Sequence, residues 1–169
     1  LSVNGSTCGN LSAISALVPC GGRLLMDRES HRSVHNAVAL RELKASYLIR
    51  GEVPKNGLSA CIALSEVKQR LSEMEADGEL PDAVIITSPT YEGFIADVDG
   101  IADVVHGYGI PLIVDGAHGA HLPKLSDKAD IIIVSLHKTL PAMTQVSVVL
   151  INEGRVQADE IKKYINDNV

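Results

Sequence analysis

Short runs of consecutive apolar, mostly β-branched residues punctuate the chain. They are Arg23-Leu24-Leu25-Met26-Asp27, Ala45-Ser46-Tyr47-Leu48-Ile49, Ala83-Val84-Ile85-Ile86-Thr87, Pro111-Leu112-Ile113-Val114-Asp115 and Asp130-Ile131-Ile132-Ile133-Val134-Ser135. Runs of this length bounded by polar residues predict strands covered on both faces. Between them, residues 8–18, 31–42, 64–77, 97–108 and 157–166 have helical character. In the third of these, Leu64, Val67, Leu71 and Met74 form one apolar stripe with charges opposite, the mark of an amphipathic helix. Strands alternating with helices of this length build right-handed βαβ units around a mainly parallel sheet. The predicted fold class is α/β, in three layers with helices on both faces of the sheet. Residues 146–151 follow Lys138 too closely for a crossover helix, so they are expected to join the sheet antiparallel. Residues 50–57 read as the one linker-like stretch, and residues 1–169 as a single domain without repeats.

Composition narrows the classes. Across 169 residues, 46% are hydrophobic and 21% charged, enough apolar surface for a packed core and against disorder. A net charge of -6 supplies no basic face for nucleic acid. No apolar run approaches the roughly 18 residues needed to cross a bilayer, and no secretory leader opens the chain, so no membrane partner is expected. Cys8, Cys20 and Cys61 are odd in number and lack CxxC spacing, which predicts free thiols in the cytoplasm. The chain starts at Leu1 without an initiating Met, so a fragment is to be weighed from the outset.

In open α/β sheets, ligands gather outside the carboxyl ends of the strands. Sorting residues by that rule places Asp27 to His31 after one strand, Thr87-Ser88-Pro89-Thr90-Tyr91 after a second, Asp115 after a third and Ser135-Leu136-His137-Lys138 after a fourth. Polar groups from separate strands thus converge on one edge. Ahead of the first helix, Asn4-Gly5-Ser6-Thr7-Cys8-Gly9-Asn10 offers backbone N–H groups and hydroxyls at a helix N-terminus. Such a segment surrounds a phosphate, or serves as an ordinary N-cap. It matches neither the Walker A nor the Rossmann glycine pattern. Lys138 is either solvated or held in a pocket where its amine is free for Schiff-base formation. Asp115 favours the pocket, because a phosphate loop, a carboxylate and a Schiff-base lysine are the three parts pyridoxal phosphate requires.

Five segments in this order resemble the ornithine/lysine/arginine decarboxylase family, pyridoxal-phosphate enzymes of the aspartate-aminotransferase fold. They are the phosphate-loop segment, Asp27-Arg28-Glu29-Ser30-His31-Arg32-Ser33, Ser88-Pro89-Thr90-Tyr91-Glu92-Gly93, Asp115 to His121, and Ser135-Leu136-His137-Lys138-Thr139-Leu140-Pro141-Ala142. The resemblance implies pyridoxal 5'-phosphate as cofactor, with Lys138 as its Schiff-base amine and Asp115 paired to the pyridine nitrogen. It assigns Ser6, Thr7 and the Cys8 backbone to the phosphate, together with Ser135 and His137. His31 matches the imidazole stacked on one face of the ring, and Ala117 the small residue on the other. Thr90 is expected near the phenolic oxygen, and His118 near cofactor or substrate. The implied reaction is decarboxylation of lysine, ornithine or arginine, a small-molecule amino-acid substrate, by a homodimer or higher homo-oligomer.

The chain departs from the family at Asp115-Gly116-Ala117-His118, where Asp-Glu-Ala-His is common, and at Cys8, where Thr, Ser or Ala is common. Family members are also far longer. Two alternatives therefore stand beside the decarboxylase: an aminotransferase or carbon–carbon lyase of the same fold, and a structural fragment without activity. Asp115, His118 and His121 have an Asp-x-x-His-x-x-His spacing, but Gly116 and Gly119 interrupt any helix that would gather them, and no metal is expected. His35 and His106 read as structural or solvent-facing, and residues 66–79 as a solvated helix face. An α/β-hydrolase reading lacks its Gly-x-Ser-x-Gly elbow.

Overall fold

Period-two alternation along each central strand divides its side chains between two layers. Leu24, Met26, Ile85, Ile113, Ile131 and Ile133 face one way, and Leu25, Val84, Ile86, Val114, Ile132 and Val134 face the other. This division is realised in a computed structural model, which describes residues 1–53 and 57–168. The elements in chain order are β1 (Ser2–Val3), α1 (Gly5–Leu17), β2 (Arg23–Asp27), α2 (Arg32–Leu40), β3 (Lys44–Leu48), α3 (Leu64–Ala76), β4 (Ala83–Thr87), α4 (Val98–Gly107), β5 (Leu112–Asp115), β6 (Ile131–Ser135), α5 (Leu136–Thr139), β7 (Ser147–Ile151) and α6 (Ala158–Asn168). They form a seven-stranded sheet in the order β1-β7-β6-β5-β4-β2-β3. The five strands from β6 to β3 run parallel, whereas β7 is antiparallel to both β6 and β1.

One layer packs Ile14 of α1, Val34 and Ala37 of α2 and Ile161 of α6 against the sheet. The opposite layer uses Val67, Leu71 and Met74 of α3 with Val98, Ile101 and Val105 of α4. Each fully buried Leu or Ile contributes about 1.5–3 kcal/mol relative to exposure. The α1 layer is unusually close. A Cβ added at Gly9 would lie 2.8 Å from Ile133 Cγ2, so only glycine lets the helix backbone sit this near β6. That approach brings the next residue, Asn10, down to the sheet.

Several expectations need correction. The first helix begins at Gly5 rather than Cys8, because Gly5 takes a φ of 83° and turns the chain directly from β1 into α1. Ser6 and Thr7 therefore belong to the first helical turn. The 45–49 run is not covered on both faces: β3 is the edge strand, and its Tyr47 is 40% exposed. Its apolar content reflects a half-buried edge. The two-residue β1 was not anticipated; it pairs Ser2 with Val148 and Val3 with Ser147. In the linker-like stretch, Arg50 is a buried structural residue and Glu52 bridges Ser59, while residues 54–56 lie outside the described residues. The antiparallel placement of the last strand agrees with expectation. Among the described residues no helix is long and apolar enough to cross a membrane.

Candidate cofactor site

Because β1 runs parallel to β6 one strand away, the end of β1 and the end of β6 share an edge of the sheet. The first turn of α1 therefore starts beside the residues that leave β6. A cavity of about 440 Å³ opens there. Its lining comes from Asn4, Gly5, Ser6 and Thr7 at the start of α1, His31 after β2, Asp115 and Ala117 after β5, Ser135, His137 and Lys138 after β6, and Gln145 before β7. Eight sequence candidates meet in it: Ser6, Thr7, His31, Asp115, Ala117, Ser135, His137 and Lys138.

Asp115 lies on the α1 side of the sheet and is only 2% exposed. Its Oδ2 accepts a hydrogen bond from Asn10 Nδ2 at 2.8 Å, and its Oδ1 accepts from the Ala117 N–H at 3.2 Å. Both donors are uncharged. A buried carboxylate held by neutral donors alone keeps much of its desolvation penalty, and a cationic N–H in the cavity would relieve it.

The opposite requirement is met at the start of α1. This 13-residue helix has no acidic residue in its first turn, and its leading N–H groups and dipole favour an anion. Ser6 Oγ lies 3.0 Å from Ser147 Oγ, whose own hydroxyl donates to Val134 O at 2.6 Å. The Thr7 side chain is exposed at the helix start. His137 is fixed by Ser135 Oγ at 3.2 Å from its Nδ1 and by the Val146 carbonyl at 3.0 Å. Hydroxyl, imidazole and backbone donors are thus gathered around one end of the cavity.

Lys138 is exposed on the short α5, and its Nζ lies 3.4 Å from His118 Nε2. Among the described residues it has no carboxylate partner. His118 is partly buried, with the Tyr91 ring edge-on at a centroid distance of 5.5 Å. Burial holds its imidazole below the usual histidine range, the Lys138 charge adds to this, and Asp115 opposes it. An uncharged imidazole beside Lys138 can accept a hydrogen bond from its ammonium.

Three candidates lie outside the main cavity. The Cys8 side chain packs into the core of the α1 layer, because the helix has already begun and rotates that position toward the sheet. His118 borders the cavity only through Lys138, and instead lines a second one of about 590 Å³ with Thr90, Tyr91, His121 and Thr139. Thr90 is fully buried, its Oγ1 accepting from the Phe94 N–H at 3.2 Å, which makes it a loop-forming residue. Asp115, His118 and His121 face different surroundings, and among the described residues no group of three His, Cys, Asp or Glu side chains is placed to hold a metal. Asn10, Ser33, Gln145 and Ser147 were missed. A polar residue at the sheet-facing position of an otherwise small-residue helix was the available signal for Asn10.

The donor set fits pyridoxal phosphate. A carboxylate without a cation, a lysine without an anion and a helix start rich in donors line the same cavity. Residues 1–168 match the model of the Orn/Lys/Arg decarboxylase major domain. The chain belongs to this family. It is 37% identical over 175 residues to the uncharacterized protein YaaO of Bacillus subtilis, covering 97% of this chain and 35% of that protein. It is 29% identical to an arginine decarboxylase of Bacillus cereus, over 98% of this chain and 37% of the relative. The constitutive lysine decarboxylase of Escherichia coli superposes with a TM-score of 0.81 at 21% identity, over 99% of this chain and 26% of the neighbour. The architecture is that of the fold-type-I pyridoxal-phosphate enzymes. The chain spans about a third of the length of the curated relatives it matches.

Proposed function

We propose that residues 1–169 form the cofactor-binding core of the large domain of a pyridoxal-phosphate-dependent decarboxylase. Its substrate is a basic amino acid, lysine, ornithine or arginine, and its products are the amine and carbon dioxide. The observation that carries this reading is the single cavity lined by Asp115, Lys138 and the first turn of α1. Bound pyridoxal phosphate supplies an electron sink for the pair left behind when the carboxylate departs.

The chain's own residues set up that chemistry. Asp115 holds a proton on the ring nitrogen by offering a buried negative charge to it. Lys138 would supply the amine that anchors the cofactor, and His118 beside it accepts a hydrogen bond that orients the amine. Ser6, Thr7, Ser135 and His137 grip the phosphate with the α1 N–H groups. His31 and Ala117 confine the ring from its two faces. A homodimer or higher homo-oligomer of the full-length enzyme, in the cytoplasm, is the form in which we expect turnover.

Titration of the chain with pyridoxal phosphate tests this reading. A visible absorption band that is present in the native chain and lost in Lys138→Ala is the expected result. Absence of any band in the native chain overturns cofactor capture. Amine release from lysine, ornithine or arginine by the full-length enzyme then separates a decarboxylase from an aminotransferase, which would return a keto acid.

A further inference from the structure

We propose that Asn10 and Ser33 are positioning residues that join Asp115 to His31 in one hydrogen-bond relay, with the Asn10 amide donating toward both ends. The proposal rests on the cofactor reading above for its purpose, but its geometry is a property of this chain alone.

Asn10 is fully buried. Its Nδ2 carries two hydrogens, and both are committed: one to Asp115 Oδ2 at 2.8 Å, the other to Ser33 Oγ at 2.9 Å. The amide cannot be turned over without setting its oxygen against the carboxylate. Ser33 Oγ therefore accepts from Asn10, leaving its own hydrogen to be placed. The atom that receives it is His31 Nδ1, 2.9 Å away. The Ser33 backbone N–H also donates to His31 Nδ1, at 3.2 Å, where the imidazole acts as the N-cap of α2. Two donors converge on Nδ1, so that nitrogen presents its lone pair and the ring hydrogen resides on Nε2.

The relay thus links His31 Nδ1, the Ser33 hydroxyl, the Asn10 amide and the Asp115 carboxylate, four groups supplied by α2 with its N-cap, α1 and the end of β5. It imposes one tautomer on the imidazole and at the same time requires Asp115 to be an acceptor. An accepting Asp115 would suit a cofactor whose ring nitrogen is protonated. Asn10 and Ser33 line no part of the cavity, so they act through Asp115 and His31 and not by contact.

The test reads the imidazole directly, in the cofactor-free chain, by long-range nitrogen–proton correlation spectra of nitrogen-15-labelled protein at neutral pH. The native chain is expected to show His31 in a single Nε2–H tautomer. Ser33→Ala is expected to convert it to a mixture of tautomers. Ser33→Thr, which keeps the hydroxyl, is expected to restore the native pattern. Asn10→Ala, which touches His31 nowhere, is expected to broaden or mix the same signals, with unfolding transitions confirming that each variant is folded. A His31 spectrum identical in the native chain, Ser33→Ala and Asn10→Ala overturns the relay. So does an Nδ1–H tautomer in the native chain. Because the readout needs no cofactor, failure of the relay and failure of cofactor capture are separate results. Where capture occurs, the absorption band of Asn10→Ala is expected to be weaker than the native one, whereas Ser33→Thr should retain the native intensity.

Discussion

Two aspartates end two parallel strands of the same sheet, and both are buried, yet they are handled in opposite ways. Asp27, at the end of β2, is completely inaccessible and receives the Arg50 guanidinium, with Nη2 at 2.6 Å and Nε at 3.0 Å from its Oδ2. The Glu29 N–H donates to its other oxygen at 2.9 Å. Asp115, at the end of β5, has an amide and a backbone N–H and, among the described residues, no cation. The first carboxylate is electrically finished and joins β2 to the segment leaving β3. The second is held in place but left with its charge unanswered, on a cavity wall. Identical side chains at the ends of parallel strands are therefore distinguishable by the charge of their donors, and the unanswered one is the one that lines the cavity.

Substitutions can break that contrast. The largest effect is expected at Arg50→Ala, which strands Asp27 as an uncompensated buried charge and should lower unfolding free energy by about 3–5 kcal/mol. Replacing both partners, as in Asp27→Leu with Arg50→Met, should cost much less, and chemical denaturation of the two variants measures the difference. Equal losses in the single and double variants would show that packing, not charge, matters there. Next comes Gly9→Val, whose added atoms meet Ile133 and Val149, displacing α1 and with it the Asn10 amide; overpacking of this kind costs roughly 1–3 kcal/mol.

Asp115→Asn should behave in the opposite sense to Arg50→Ala. The substitution removes an unanswered buried charge but turns one of two accepting oxygens into a donor facing Asn10 Nδ2 or the Ala117 N–H, so stability should change by no more than about 1–3 kcal/mol. Turnover in the full-length enzyme should fall on the order of a hundredfold, because the anion that favours ring protonation is gone. Parallel denaturation and amine-release assays check this, and comparable losses of both would make Asp115 structural.

The smallest effect is a pH dependence at His118. Burial and the Lys138 charge disfavour its cation in the folded chain, whereas the unfolded chain titrates at about 6.5. Between the two values the unfolded state binds more protons, so stability rises with pH through that window and is lost as pH falls through the folded value. His118→Gln should flatten the denaturation midpoint across the window just below the ordinary histidine value. An unchanged slope would assign the dependence elsewhere.

How much of this was legible in the sequence depends on distance along the chain. The parallel strands showed themselves as local apolar runs, and β7 as a run too close to its predecessor for a crossover. Lys138 and Asp115 stood out because each ends such a run with an uncommon side chain. Arg50 was hidden, because nothing within its own segment shows that Asp27 lies across the strand pair. Asn10 was hidden for the same reason: its partners are 23 and 105 residues away. Thr90 carried a family position but is occupied by the backbone of its own loop, which only the folded loop reveals.

The contact between Ser6 and Ser147 spans 141 residues, and β1 pairs with β7 beside it. An anion cradle made this way has no partial form. A chain whose synthesis has passed Lys138 already contains the lysine and the aspartate, yet Ser6 lacks its Ser147 partner and β1 its pairing strand until β7 arrives. On the proposed reading, ligand capture would then check completed assembly, its binding energy stabilising only molecules whose two ends have met.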